Sequence, residues 1–305
     1  MWSAAPSEIA AAIGRIDPVF LGMPLLRSDD IDRRLGAELH FKDETANPIR
    51  SFKGRGASNF VARLDHVSGL VCASAGNFGQ GMAWAARGRG VPLTVFASVN
   101  AVASKVAAMR RLGATIVLEG EDFDAAKQAA EAYAAAEGLS YVEDGMDAAI
   151  AEGAGTLALE TISEAGAFDA FVVPLGNGAL AAGVGTWAKH SRLETIVTVV
   201  GAAGAPAMAQ SVRDGIVVTT PRVDTIADGI AVRNPAPAAV EAVRRVTDEV
   251  RLAGDDDIRK AMQLVHAALG LVVEPAGAAG LAAILAAPER WAGMKVAVPL
   301  CGGNV

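Results

Sequence analysis

Four short stretches of this chain carry residue types that could do chemistry, and each lies where an apolar run gives way to Gly, Ser or Asn. The first is Asn47-Pro-Ile-Arg-Ser-Phe-Lys-Gly-Arg-Gly-Ala57. Pro48 enforces a turn, and the pattern predicts a helix beginning near Lys53. The positive end of a helix disfavours a cation and favours the free amine, and a neutral amine is what attack on an aldehyde requires. On spacing alone a solvated lysine is the commoner outcome, because one lysine is not a signature. The second is Val71-Cys-Ala-Ser-Ala-Gly-Asn-Phe-Gly-Gln-Gly-Met82, which reads as strand, tight turn and helix. Ser74, Ala75, Gly76 and Asn77 would expose successive backbone N–H groups at a helix start, a cradle for a carboxylate. A plain turn that needs glycine for its backbone angles explains the stretch equally well.

The third stretch is Phe171-Val-Val-Pro-Leu-Gly-Asn-Gly-Ala-Leu-Ala-Ala-Gly183. Gly176, Asn177, Gly178, Ala179 and Leu180 follow an apolar strand and precede a helix, the arrangement that holds a phosphate by backbone N–H groups. It is neither a Walker loop, since no Lys-Ser/Thr follows Gly178, nor a dinucleotide G-x-G-x-x-G, since the last position is Ala181. The fourth is Val298-Pro-Leu-Cys-Gly-Gly-Asn304, where Cys301 could face a ligand ring from a strand end. A buried inert thiol is the commoner reading of such a cysteine.

The elements that must position these stretches alternate in the manner of an α/β protein with mainly parallel sheets. Strands are predicted at 38–42, 69–73, 93–96, 115–118, 170–173, 195–201 and 296–300, and helices at 79–89, 104–112 and 123–137. Residues 66–147 form the most regular βα run and are expected to make a small open-sheet domain. Residues 1–65 with 148–305 would make the large one. The expected architecture is two open, mainly parallel twisted sheets, one per domain, with a ligand between them at the carboxyl ends of strands.

Bulk properties narrow the function. With 305 residues, 52% hydrophobic and 20% charged, the chain is long enough for real cores and is not of disordered composition. A net charge of −7 without any basic run argues against nucleic acid or an anionic membrane surface as partner. The stretch 271–288 is interrupted by Glu274 and Pro275 and is mostly Ala and Gly. It falls short of the roughly 20 apolar residues of a bilayer span. The N-terminus lacks the basic lead-in of a signal peptide. Cys72 and Cys301, each beside an apolar run, are expected to be reduced thiols in a cytoplasmic protein. The four scattered histidines give no metal cluster.

A reactive lysine, a carboxylate cradle and a phosphate cradle are together the parts an amino-acid-handling pyridoxal enzyme needs, with a thiol for the pyridine ring. From about Pro24 to Asn304 the chain resembles the fold-type II (tryptophan synthase β-like) pyridoxal-phosphate family, in its serine/threonine dehydratase branch. Gly153-Ala-Gly-Thr156, Asp224-Thr-Ile-Ala-Asp-Gly-Ile-Ala-Val232 and Glu274-Pro-Ala-Gly-Ala-Ala279 add to the likeness. The resemblance implies that Lys53 holds pyridoxal 5'-phosphate covalently and is the catalytic base. It implies that Phe52 flanks the cofactor, Asn77 bonds its ring hydroxyl, residues 176–180 hold its phosphate and Cys301 lies by its ring nitrogen. Ser74, Ala75, Gly76 and Asn77 would take the substrate carboxylate. The implied reaction is β-elimination of water from a small L-β-hydroxy amino acid, an L-serine ammonia-lyase or threonine dehydratase, giving a 2-keto acid and ammonia. The proton for the departing hydroxyl would come through the cofactor phosphate. The implied protein is a homodimer.

Departures from the family pattern bear on the substrate. Phe78 stands where the family often has His, Asn177 and Ala179 interrupt a loop that is usually all glycine, and Arg50 replaces a common Gly. Arg50 could sense a second carboxylate or point to solvent. Residues 201–206 lack the carboxylate with which some relatives bind a divalent cation, so no metal is expected. No regulatory domain is expected after Asn304. Serine, threonine, 3-hydroxyaspartate and bulkier substrates all stay open, as do a racemase, a β-replacement synthase and a silent ligand-binding relative. Ala75 occupies the place at which serine racemases of the family carry a second acid–base serine, so little D-isomer is expected.

Overall fold

The computed structural model describes residues 2–305. Among these residues ten strands form two sheets. The larger has six strands in the order β1 (Leu25–Leu26), β2 (Glu38–Asp43), β10 (Lys295–Leu300), β7 (Ala170–Pro174), β8 (Ile196–Ala202) and β9 (Glu249–Ala253). The smaller runs β5 (Thr115–Leu118), β4 (Leu93–Ala97), β3 (Leu70–Ala73) and β6 (Ser140–Tyr141). Every pairing is parallel except β1 with β2. Parallel neighbours need crossover connections, and helices supply them and cover the sheets.

Period-2 alternation divides the core of the large sheet. Phe171 and Val173 of β7 pack into one apolar cluster, and Ala170 and Val172 into another on the opposite face. The first cluster also holds Leu70, Cys72 and Val95, so one continuous core passes from the large sheet to the small one. The expected strands are present with shifts of a residue at some ends. Three were missed: β1 and β6 have two residues each, too short for a period. β9 reads Glu-Val-Arg-Leu-Ala and is only partly buried, as suits an edge. The helix expected at 79–89 is Asn77–Gly88. The Ser74 hydroxyl accepts the Gly79 N–H at 2.8 Å, which draws the first turn back toward the strand.

A buried charge network sets the helix that begins at Lys53. Arg55 is fully buried and donates to both carboxylate oxygens of Glu44 (2.9 and 2.8 Å), to both of Glu160 (2.9 and 2.8 Å) and to the Thr156 hydroxyl (3.1 Å). Lys42 Nζ approaches Glu160 at 3.0 Å. The end of β2, the helix Lys53–Ala62 and the helix Ala148–Ala165 are thereby tied at one point. A guanidinium between two carboxylates with every fork position used is the geometry in which a buried ion network holds.

Candidate active site

Between the sheets lies a cleft of about 350 Å³, and its walls include all twelve residues to which the resemblance gives a role. Lys53, the first residue of its helix, extends its amine into an ion pair with Asp144. The amine also lies 4.7 Å from the Phe52 ring centroid and 5.9 Å from that of Phe78. Asp144 is enclosed, and its Oδ1 has no hydrogen-bond partner.

The loop after β3 partly corrects the expectation of four exposed N–H groups. The Ser74 N–H donates to Phe96 O at 3.0 Å and the Gly76 N–H to Ser74 Oγ at 3.0 Å, so both are spent inside the fold. The N–H groups of Ala75, Asn77 and Phe78 have no partner among the described residues. The unclaimed donors of this loop are therefore those of 75, 77 and 78, and the Ser74 hydroxyl is engaged by the N–H groups of Gly76 and Gly79.

Asn77 is held from both sides. Its Nδ2 donates to Glu274 Oε1 at 2.7 Å and its Oδ1 accepts from Asn304 Nδ2 at 2.8 Å, which fixes the sense of the amide. Asn304 Nδ2 also donates to Ile49 O at 2.8 Å. Burial pushes the Glu274 carboxyl above the usual carboxylate range, against the pull of the Asn77 bond. Its Oε2 is enclosed without a partner. A Cβ at position 302 would stand 2.2 Å from Glu274 Oε1, so glycine there is what admits the clamp.

On the large sheet, the N–H groups of 176–180 have no partner among the described residues, and they precede or open the helix Ala179–Ser191. Gly178 takes φ +96°, and a side chain there would meet Val243 at 2.7 Å. Five unclaimed donors at the positive end of a 13-residue helix form a neutral anion cradle. Cys301 is buried in the cleft wall with Sγ 3.9 Å from Ala276 O, and burial pushes its thiol well above the usual range, so it keeps its proton. Cys72 is buried, unpaired, and pushed up to about 12.

Arg50 is exposed, in line with the solvent-facing alternative, and is absent from the cleft wall. Its guanidinium donates to Gly303 O at 3.0 Å and Val272 O at 3.1 Å, which takes it out of the cleft. The other cations of the cleft are paired: Lys105 with Asp228, Lys127 with Glu143, and Arg233 with Asp122 and Asp124. Of these residues, Glu274 lay within a stretch already noticed as family-like. Nothing in the sequence singled out Asp144.

Residues 16–302 match the family described as pyridoxal-phosphate dependent enzyme. The chain belongs to that family. It is 36% identical over 273 residues to the L-threonine ammonia-lyase of Thermotoga maritima, covering 88% of this chain and 68% of that one. It is 33% identical over 302 residues to the phenylserine dehydratase of Ralstonia pickettii, covering 98% and 92%. Among solved structures, maize serine racemase superposes with a TM-score of 0.94 at 30% identity, covering 100% of this chain and 94% of that one. The fold is that of the fold-type II pyridoxal-phosphate enzymes, and the kinship supports an ammonia-lyase.

Proposed function

We propose that this enzyme eliminates water from a small, uncharged L-β-hydroxy amino acid of the serine/threonine type, giving a 2-keto acid and ammonia. The observation that carries the reading is one lysine amine sharing a cleft with two separate rows of unclaimed backbone N–H groups. The residues present suit pyridoxal phosphate. The five donors at 176–180 would hold the phosphate, Lys53 the aldehyde carbon, Asn77 the ring hydroxyl and Cys301 the ring nitrogen. When bound there, the cofactor supplies an electron sink that makes the substrate Cα–H acidic. The N–H groups of 75, 77 and 78 would hold the substrate carboxylate, and the Lys53 amine would take the Cα proton. A thiol that keeps its proton cannot protonate the ring nitrogen as an acid would, which favours a reaction whose leaving group carries charge away at once.

The cleft also discriminates among substrates. Each of its other cations already has an acidic partner, and Arg50 is pinned outside, so a second substrate carboxylate would meet no free counter-charge. Phe78, Phe123, Ile230 and Val232 supply apolar wall for a methyl or larger group. Two buried, unpaired thiols accord with a reducing compartment, and a cytoplasmic homodimer is the form proposed.

The test is keto-acid release over L-serine, L-threonine, phenylserine and 3-hydroxyaspartate, with chiral chromatography of the remaining amino acid. Serine or threonine should turn over, with kcat/KM for 3-hydroxyaspartate lower by about tenfold or more. D-isomer should be scarce, because the methyl group of Ala75 carries no proton for the second face. Holoenzyme that releases no keto acid, or that forms D-isomer as fast as keto acid, would overturn the proposal.

A further inference from the structure

The amide of Asn77 is fixed by two jaws, Glu274 and Asn304, that come from different loops. We propose that Arg50 is a positioning residue that, from outside the cleft, staples both loops together. It thereby sets the one side chain that would meet the cofactor's ring hydroxyl. This rests on the site reading above, in which Asn77 makes that bond.

The backbone of Arg50 is held in an unfavourable conformation. Its φ is +51°, and among the described residues no other non-glycine residue has a positive φ. An L side chain there carries a cost that the surroundings must offset. The bonds that offset it converge on one neighbouring residue. The Arg50 carbonyl accepts the Gly303 N–H at 2.9 Å, and Arg50 Nε donates to Gly303 O at 3.0 Å, so one residue grips Gly303 at both its polar groups. Asn304 follows directly. Its Nδ2 donates to Asn77 Oδ1 at 2.8 Å and to the carbonyl of Ile49, the residue before Arg50, at 2.8 Å.

The second arm of the guanidinium reaches the other jaw. Nη2 donates to Val272 O at 3.1 Å, two residues before Glu274, and the Glu274 N–H donates to Gly302 O at 2.9 Å. The two loops are thus joined to each other and to Arg50 immediately outside the clamp on Asn77. A planar fork can bond two carbonyls at a fixed spacing, which a single ammonium does poorly. Position 303 is shaped around this fork. A Cβ there would stand 2.7 Å from Arg50 Nη2 and 2.8 Å from Val272 O, so only glycine lets the guanidinium in.

Two substitutions separate the staple from the strain. R50G removes the fork and takes the positive φ freely, whereas R50A removes the fork and keeps the cost. Absorbance titration of apoprotein with pyridoxal 5'-phosphate should show Kd raised about fivefold in both. The effect is modest because Arg50 is exposed and water competes for its contacts. R50A should unfold at a lower temperature than R50G, and R50K should bind the cofactor more like R50G than like wild type. A residue that acts through Asn77 should lose its effect when the amide is gone, so N77A/R50G should bind no more weakly than N77A. General support of the fold would lower affinity in that background too. Cys72, fully buried in the small sheet, should stay as unreactive toward a thiol reagent in R50G as in wild type. R50G that binds the cofactor as tightly as wild type, losses that multiply in N77A/R50G, or a reactive Cys72 would overturn the staple and leave the site reading standing. N77A that binds as tightly as wild type would overturn both.

Discussion

An amide side chain bonds a ligand reliably only if something decides which end is oxygen and which is nitrogen. For Asn77 that decision is made by Glu274 on one side and Asn304 on the other. Glu274→Leu removes the acceptor and leaves the amide held by Asn304 alone, and cofactor retention should weaken by about tenfold. Glu274→Gln keeps an acceptor and should stay near wild type. If Glu274 acts through Asn77, the pair N77A/E274L should lose no more affinity than N77A alone. Absorbance titration of apoprotein with the cofactor gives the three constants, and losses that multiply would assign Glu274 a separate role. Lys53 and Asn77 could be placed at the cleft because each stands in a compact strand–turn–helix motif, and Cys301 because it follows a strand directly. Asp144 and Glu274 could not, because they meet Lys53 and Asn77 across 91 and 197 residues of chain. Local pattern carries no information about such meetings. Arg50 illustrates the converse. It was noticed as an odd residue near the lysine, yet its φ of +51° and its two carbonyl partners mark it as a backbone pin.

At the scale of elements, the proposed phosphate loop would hold a dianion without any basic residue. Five N–H groups left free by the start of the helix Ala179–Ser191 point to backbone recognition, and Gly178 is the position least able to accept a side chain. Gly178→Asp would place a carboxylate at the dianion in a left-handed conformation and press it against Val243. Cofactor retained through dialysis should drop severely relative to wild type, with Gly178→Ala as the control for packing alone. Retention equal to wild type would mean that the loop is misassigned. The strands flanking this loop were readable because β7 and β8 are nearly continuous apolar runs buried on both faces. The correction at Ser74 was not readable. Whether a hydroxyl faces a ligand or caps its own turn depends on a rotamer, and sequence does not specify one.

At the scale of the molecule, the two sheets share one core and meet over a cleft crossed by ion pairs, Lys105 with Asp228 and Arg233 with Asp122 and Asp124. The division into residues 66–147 and the remainder follows the two sheets and is the domain organisation we propose. The alternation of strands and helices announced both sheets, but it gave no sign of the Arg55 network that ties the end of β2 and the helix Ala148–Ala165 to the helix of the lysine. That network has a consequence for the order in which the protein assembles. Arg55 reaches Glu44 across only 11 residues of chain but Thr156 and Glu160 across 101 and 105. Closing loops of that length delays the contacts they enclose. The helix that presents Lys53 therefore gains its second support only when the ends of the segment that carries the small sheet come together. On dilution from denaturant with cofactor present, the visible band should return no faster than the slowest recovery of tryptophan fluorescence. A band that forms ahead of it would show a site able to assemble without its frame. Colour, in this protein, should be the last thing to fold.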